Sequence, residues 1–149
     1  MTTPRTPTGE LVAVAWLRSV LTGVDVATTM PDPDRWTGDT FVAVTAIGGS
    51  VDTAVPIRSP VFQLDCYARR ATTSERPAWN RANLTAEAIR LASYGVAGLT
   101  LATGTGYAPV LLSCVLMLSE PRRIVSDPAS LARYTTDVQL VYLVPGETA

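Results

Sequence analysis

Between Phe41 and Ala68 the chain holds two apolar runs, with a glycine pair closing the first and prolines ahead of the second. Phe41-Val42-Ala43-Val44-Thr45-Ala46-Ile47 is β-branched and aromatic enough to form a strand. Gly48-Gly49 offers backbone freedom for a turn, because glycine tolerates positive φ. After Pro60, the residues Phe62, Leu64, Cys66 and Ala68 alternate with Val61, Gln63, Asp65 and Tyr67, the period of a strand with one buried face. The pattern predicts an antiparallel pair with an arm, Ser50 to Ser59, projecting from its end. The rest of the chain reads as packing for that pair.

Helical spacing precedes and follows it. From Gly9, the apolar residues Leu11, Val14, Ala15, Leu17 and Leu21 predict a helix of about three to four turns, with Glu10 in its first turn and Gly23 near its end. Val12 and Trp16 lie on a neighbouring stripe. Pro31 and Pro33, set among Asp32, Asp34 and Asp39, predict a loop from Asp25 to Asp39. A second helix is predicted with Thr73 or Ser74 as cap, Glu75 and Pro77 in the first turn, and Gly95 as its stop. Its apolar stripe is Leu84, Ala88, Leu91 and Ala92, and its polar face carries Arg76, Asn80, Arg81, Glu87 and Arg90.

Val96 to Pro109 reads as a connector with a short extended piece at Leu99 to Ala102. The unbroken apolar run from Pro109 to Ser119 predicts a central strand covered on both faces, ended by Glu120-Pro121-Arg122-Arg123. After a loop at Asp127-Pro128 and a turn at Ala129 to Ala132, Arg133 to Val144 alternates cleanly and Pro145 ends it. The order α-β-β-α-β-β predicts an α+β single domain: an antiparallel or mixed four-stranded sheet with two helices on one face. Residues 1–8 are a flexible lead, 9–144 the domain and 145–149 a tail.

Composition narrows the chemistry. A chain of 149 residues with 47% hydrophobic and 17% charged residues is globular and large enough for a real core. Its net charge of −1 gives no basic surface for nucleic acid. All 12 basic residues are arginine, a sign of genomic GC bias, although arginine also suits interface ion pairs. There is no histidine, which removes Ser-His-Asp and Cys-His nucleophile systems and the usual zinc and iron ligand sets. Cys66 and Cys114 fit no CxxC pattern and read as small buried hydrophobes, with a disulfide the distant second reading. The N-terminus lacks the features of a signal peptide, and the Val110 to Leu118 run is about half of a membrane span, so a soluble chain made in the cytosol is expected.

The remaining motifs are weak as chemistry. Gly104-Thr105-Gly106 has no GK[ST] and no following helix, so it reads as a turn and not as a phosphate loop. Asp25, Asp32, Asp34 and Asp39 lack the spacing of a calcium loop. Nothing places Asp65, Glu75 and Glu87 in one pocket for acid–base work. No cofactor is expected. Arg69-Arg70 and Arg122-Arg123 each follow a strand, and two readings stand side by side: solvated turns, or partners for acidic groups on a neighbouring subunit. Trp36, Trp79 and Tyr107 sit in or beside loops, folded back on the core or docked against a partner.

Taken in order, these features resemble the tail terminator (tail completion) proteins of long-tailed bacteriophages, especially those infecting actinobacteria. The elements that carry the likeness are a helix, a strand ending in Gly48-Gly49, a loop, and the strand Pro60-Val61-Phe62-Gln63-Leu64-Asp65-Cys66-Tyr67-Ala68. An alanine-rich helix, a strand closing in Glu120-Pro121-Arg122-Arg123 and the Tyr-containing strand Tyr134 to Val144 complete it. The resemblance implies a structural assembly protein of the virion without catalysis. Such a protein forms a hexameric ring on the head-proximal end of the tail tube, stops tube polymerisation and presents a surface to the head–tail connector. Its implied partners are further copies of itself, the tail tube protein and the connector or neck protein, with phage DNA passing through the lumen. By that analogy the arm, with Ser50, Val51, Asp52, Ile57 and Arg58, and the Asp25 to Asp39 loop, with Trp36, contact the tube or adjacent subunits. Sheet edges would let ring neighbours pair. Two other readings are a different head–tail connector protein and a small ligand-binding α+β domain using Asp65 and Glu75.

Overall fold

The period-two segments pair as their patterns require. The computed structural model describes residues 3–69, 77–125 and 131–147. Within it lie α1 (Gly9–Val20), β1 (Asp25–Ala27), a 3-10 turn at Pro33–Arg35, β2 (Thr40–Val51), β3 (Ile57–Arg69) and α2 (Ala78–Ser93). β4 (Leu99–Leu101), β5 (Val110–Met117), β6 (Arg122–Ile124) and β7 (Leu131–Leu143) complete the order. The strands form one sheet, β1-β2-β3-β7-β5-β4, with β6 also on β7. β1 runs parallel to β2 and every other pair is antiparallel. The architecture is α+β with a mixed, curled sheet.

Alternation decides which face is buried. Val42 and Val44, Phe62, Leu64 and Cys66, Val138, Leu140 and Tyr142, and Leu112 and Val115 share one cluster with residues of both helices. Burying each large apolar side chain stabilises the fold by about 1.5–3 kcal/mol. Thr8 caps α1 by accepting from the Leu11 N–H at 3.3 Å. The deepest residues of that helix are Val12, Ala13, Trp16 and Leu17, so the neighbouring stripe of Val12 and Trp16 joins Leu17 at the core, while Leu11 and Ala15 are half-buried.

Several expectations are corrected. Among the described residues the sheet has seven strands, not four, because three-residue strands at Asp25–Ala27, Leu99–Leu101 and Arg122–Ile124 join the longer ones. Segments so short carry no period of their own and form only where a longer neighbour offers an edge. β5 is not central: β3 and β7 are, and β5 lies next to the outermost strand. Its unbroken apolarity therefore leaves Leu116, and Leu118 just beyond it, 46% and 50% exposed. Arg122 and Arg123 do not end the pairing with β7. They resume it after a three-residue interruption, with Arg122 opposite Thr135 where the Leu118 N–H had bonded Asp137.

α2 is rotated from the expected face. Ala82, Thr85, Ala86, Ile89 and Ser93 are buried, whereas Leu84, Ala88 and Leu91 point outward. Small side chains let this helix lie close on β7 and β3, which is a packing preference that hydrophobicity alone does not report. The N-terminal lead is tied down in part. The Arg5 N–H donates to Gly106 at 2.9 Å and the Ala108 N–H to Arg5 at 2.9 Å, with the Arg5 guanidinium 4.8 Å over Tyr107. Thr73, Ser74 and Glu75, as well as Arg70, Asp127 and Pro128, lie outside the described residues.

Candidate interaction surfaces

The arm is built as a continuation of the β2–β3 ladder, not as a loop. Pairing runs out to Val51 opposite Arg58, and only the segment Asp52 to Pro56 turns. The turn is closed by the Asp52 carboxylate, which accepts from the N–H groups of Ala54 at 2.8 Å and Val55 at 3.1 Å. Such a side-chain-to-backbone turn is a usual role for aspartate. A bulge between Ala46 and Gly48 bends the arm. Gly49, at φ 139, lies so close to β3 that an added Cβ would stand 2.7 Å from Pro60 Cα.

Pro60 breaks the β3–β7 ladder, and no pairing is formed at Ser59 or Pro60. The Gln139 side chain bridges the gap by donating from Nε2 to the Ser59 carbonyl at 3.1 Å. The base of the arm is fastened by Arg58, whose guanidinium is 2.8 Å from Glu147. That bond to Glu147 holds the Arg58 pKa above its usual value, with Tyr142 contributing as well. Beneath the arm is an open cleft of about 730 Å³, lined among others by Gly9, Val51, Ile57, Pro60, Tyr142 and Glu147. Val51 at the tip is 87% exposed.

The sheet face away from the helices carries a polar cluster. Asp65, only 6% exposed, accepts from Arg133 Nε at 3.0 Å and Nη2 at 2.9 Å, and from the Thr135 hydroxyl at 2.6 Å. Gln63 adds donors at 3.3 and 3.2 Å. The Asp65 carboxylate is thus committed to ordering β3 against β7, and Glu75 lies outside the described residues. Among the described residues no group of three or more His, Cys, Asp or Glu side chains could hold a metal ion. The acidic loop instead clamps itself. Asp25 accepts from the Thr37 hydroxyl at 2.5 Å and its N–H at 2.8 Å, and Asp39 faces Arg69 at 3.8 Å and Arg81 at 3.6 Å.

The arginines and aromatics divide. Arg69 donates to the Pro33 carbonyl at 2.6 Å, and Arg81 donates to the Arg69 carbonyl. Arg122 approaches Asp137 at 3.8 Å and Ser119 at 3.3 Å, while Arg123 lies 5.8 Å over the half-exposed Trp79 ring. These side chains have partners within the chain. Trp36 is 5% exposed, stacks on Phe41 at 5.4 Å and donates to Pro31, so its ring is folded back and leaves the set of surface candidates. Ser50, Val51, Asp52, Ile57 and Arg58 all fall on the exposed arm. Sequence reasoning missed the exposed edge of β5 and the outward apolar stripe of α2. No signal short of the strand order and the helix rotation could have found them.

No protein-family model matches the chain, and no curated protein matches it. No described helix is long and apolar enough to cross a membrane.

Proposed function

We propose that this chain is a ring-forming assembly protein of a long-tailed phage. It caps the head-proximal end of the tail tube, stops tube growth and offers its other surface to the connector. The resemblance supplies the class. The observation that carries it is the arm, a paired strand extension whose Val51 is 87% exposed and whose neighbours Ile47, Val55 and Ile57 are also open to solvent. A β-hairpin that leaves its apolar tip uncovered is a contact element without its partner, since isolated hairpins gain little stability by themselves. No described catalytic constellation competes with this reading for the same residues.

The test is negative-stain imaging after incubation with tail-tube subunits of the same phage. Tubes of uniform length capped at one end by a six-fold ring are the expected result. Tubes of unregulated length beside free protein overturn it, and binding to connector rings in that case assigns the chain to the connector side.

A further inference from the structure

The sheet has two open edges, and they match. β1 covers β2 only at Phe41 to Ala43, leaving the edge from Val44 to Val51 without a strand partner among the described residues. β4 covers β5 only at Val110 to Leu112, and the Gly98 N–H reaches the Ser113 carbonyl, so that among the described residues the edge has no strand partner from Cys114 onward. Its ladder with β7 is interrupted at Ser119 to Pro121, where the Ser119 carbonyl accepts from the Thr136 hydroxyl, and that break ends the regular edge. Each open stretch carries large exposed apolar side chains: Ile47 and Val51 on one, Leu116 and Leu118 on the other.

The two edges stand at the same height in the sheet. Ala46 pairs with Phe62, Phe62 with Val138, and Val138 with Met117. Gly49 pairs with Pro60, which the register places level with Leu140, and Leu140 pairs with Val115. Hydrogen-bond direction agrees as well. The Leu118 N–H points at Asp137 of β7, so the backbone groups of Met117 and Val115 point away from β7, out of the sheet. The Arg69 N–H reaches the Asp39 carbonyl, so odd residues of β2 face β3 and Val44 and Ala46 face outward. Beyond the bulge the phase shifts by one, and Gly49 faces outward. β2, β3, β7 and β5 alternate in direction, so β2 and β5 run oppositely.

We infer that β5 of one copy pairs antiparallel with β2 of the next, so that the sheets of neighbouring copies continue into one another around the assembly. With no stagger, Ala46 faces Met117 and Gly49 faces Val115, both as hydrogen-bonded pairs. The occupant is a second copy because the two edges agree in height, direction and outward-pointing groups. The contact is head to tail, using a different edge on each side, which propagates into rings or open filaments and not into an isolated dimer; the ring-forming reading selects the ring. An even number of alternating strands per copy keeps every junction antiparallel. The inference rests on the ring-forming reading but needs no tail tube for its test.

The test is amide hydrogen exchange of the full chain across a concentration series, with mass photometry to follow self-association. The amides of Val115 and Met117, together with those of Ala46 and Gly49, should slow at least tenfold as copies associate. In a Cys114→Ser background, Thr45→Cys combined with Leu118→Cys, or with Leu116→Cys for a two-residue slip, should give disulfide-linked ladders. Thr45→Cys alone should give dimers at most. Association that protects α2 around Leu84 and Leu91 instead, with both edges exchanging freely, overturns the inference and leaves the ring reading standing. Absence of self-association at any concentration overturns it too. Edge protection without capping of tubes keeps the strand pairing and sinks the tail-terminator reading.

Discussion

Arg133 and Asp65, on adjacent central strands, form a two-pronged ion pair with N···O distances of 3.0 and 2.9 Å on the sheet face that the helices leave uncovered. The Asp65 side chain is 8% exposed and that of Arg133 22%, so the two members are not equivalent. Removing Arg133 leaves a nearly buried carboxylate with only the neutral donors of Thr135 and Gln63, whereas removing Asp65 leaves a guanidinium that can turn to water and a Thr135 hydroxyl without its acceptor. Arg133→Ala should therefore destabilise the fold by about 3 kcal/mol, and Asp65→Ala by clearly less. Urea unfolding of both variants checks this, and equal losses would contradict the asymmetry.

Asp25 should make the Asp25 to Asp39 loop acid-sensitive. The Thr37 hydroxyl holds its carboxyl below the usual aspartate range, against the upward pull of burial. A depressed folded-state pKa means that the bonus is present above the unfolded value and is lost as pH falls through the folded one. An NMR titration should place the Asp25 midpoint below 3.8, and amides of residues 36 to 38 should lose protection over the same acid range. Asp25→Asn should remove that acid-side transition.

Trp16 is fully buried, and its indole N–H finds no acceptor among the described residues. A buried donor left unmade carries a penalty of about 1–3 kcal/mol. Trp16→Phe removes the donor and opens a modest cavity, two effects of opposite sign, so its stability should lie within about 1 kcal/mol of the native chain. Trp16→Ala should lose about 3–5 kcal/mol. Thermal melts of the pair separate polar penalty from packing.

The arm should depend on Gly49 more than on Gly48. An alanine Cβ at position 49 would sit 2.7 Å from Pro60 Cα and from the Ser59 carbonyl oxygen, with φ at 139. At position 48 the added carbon meets nothing within 4 Å, and only the φ of 154 resists it. Gly49→Ala should cost on the order of 1–3 kcal/mol and speed exchange of arm amides, while Gly48→Ala should cost less. The reverse order would show that the arm does not hold this bend in solution.

Cys66 should be chemically silent until the fold opens. Burial pushes its thiol pKa well up, and the neighbouring Asp65 charge adds to the shift. Because the thiolate is the reactive form, alkylation at neutral pH should proceed at the rate of global opening. Mass spectrometry after timed iodoacetamide labelling should find Cys114, which is partly exposed, modified first.

The alternation of Phe62, Leu64, Cys66 and Ala68, and of Thr136, Val138, Leu140 and Tyr142, was sufficient to place both strands, which the structure makes the central pair. A period of two has one solution once one face is dry. The first helix was legible for a similar reason, and the turn at Gly104 to Gly106 from its composition. Tertiary structure decided the rest. It rotated α2 so that Ala82 and Ala86, and not Leu84 and Leu91, meet the sheet, because close approach favours small side chains. It added the three-residue strands at Asp25–Ala27 and Arg122–Ile124, and gave the extended piece expected at Leu99 to Ala102 its partner in β5. It also moved β5 from the expected centre to the margin, and so turned a run of buried-looking residues into an exposed edge. Local pattern carries the identity of a strand, but its neighbours in the sheet depend on contacts far apart in the chain, and the candidate interaction surfaces are set by those neighbours.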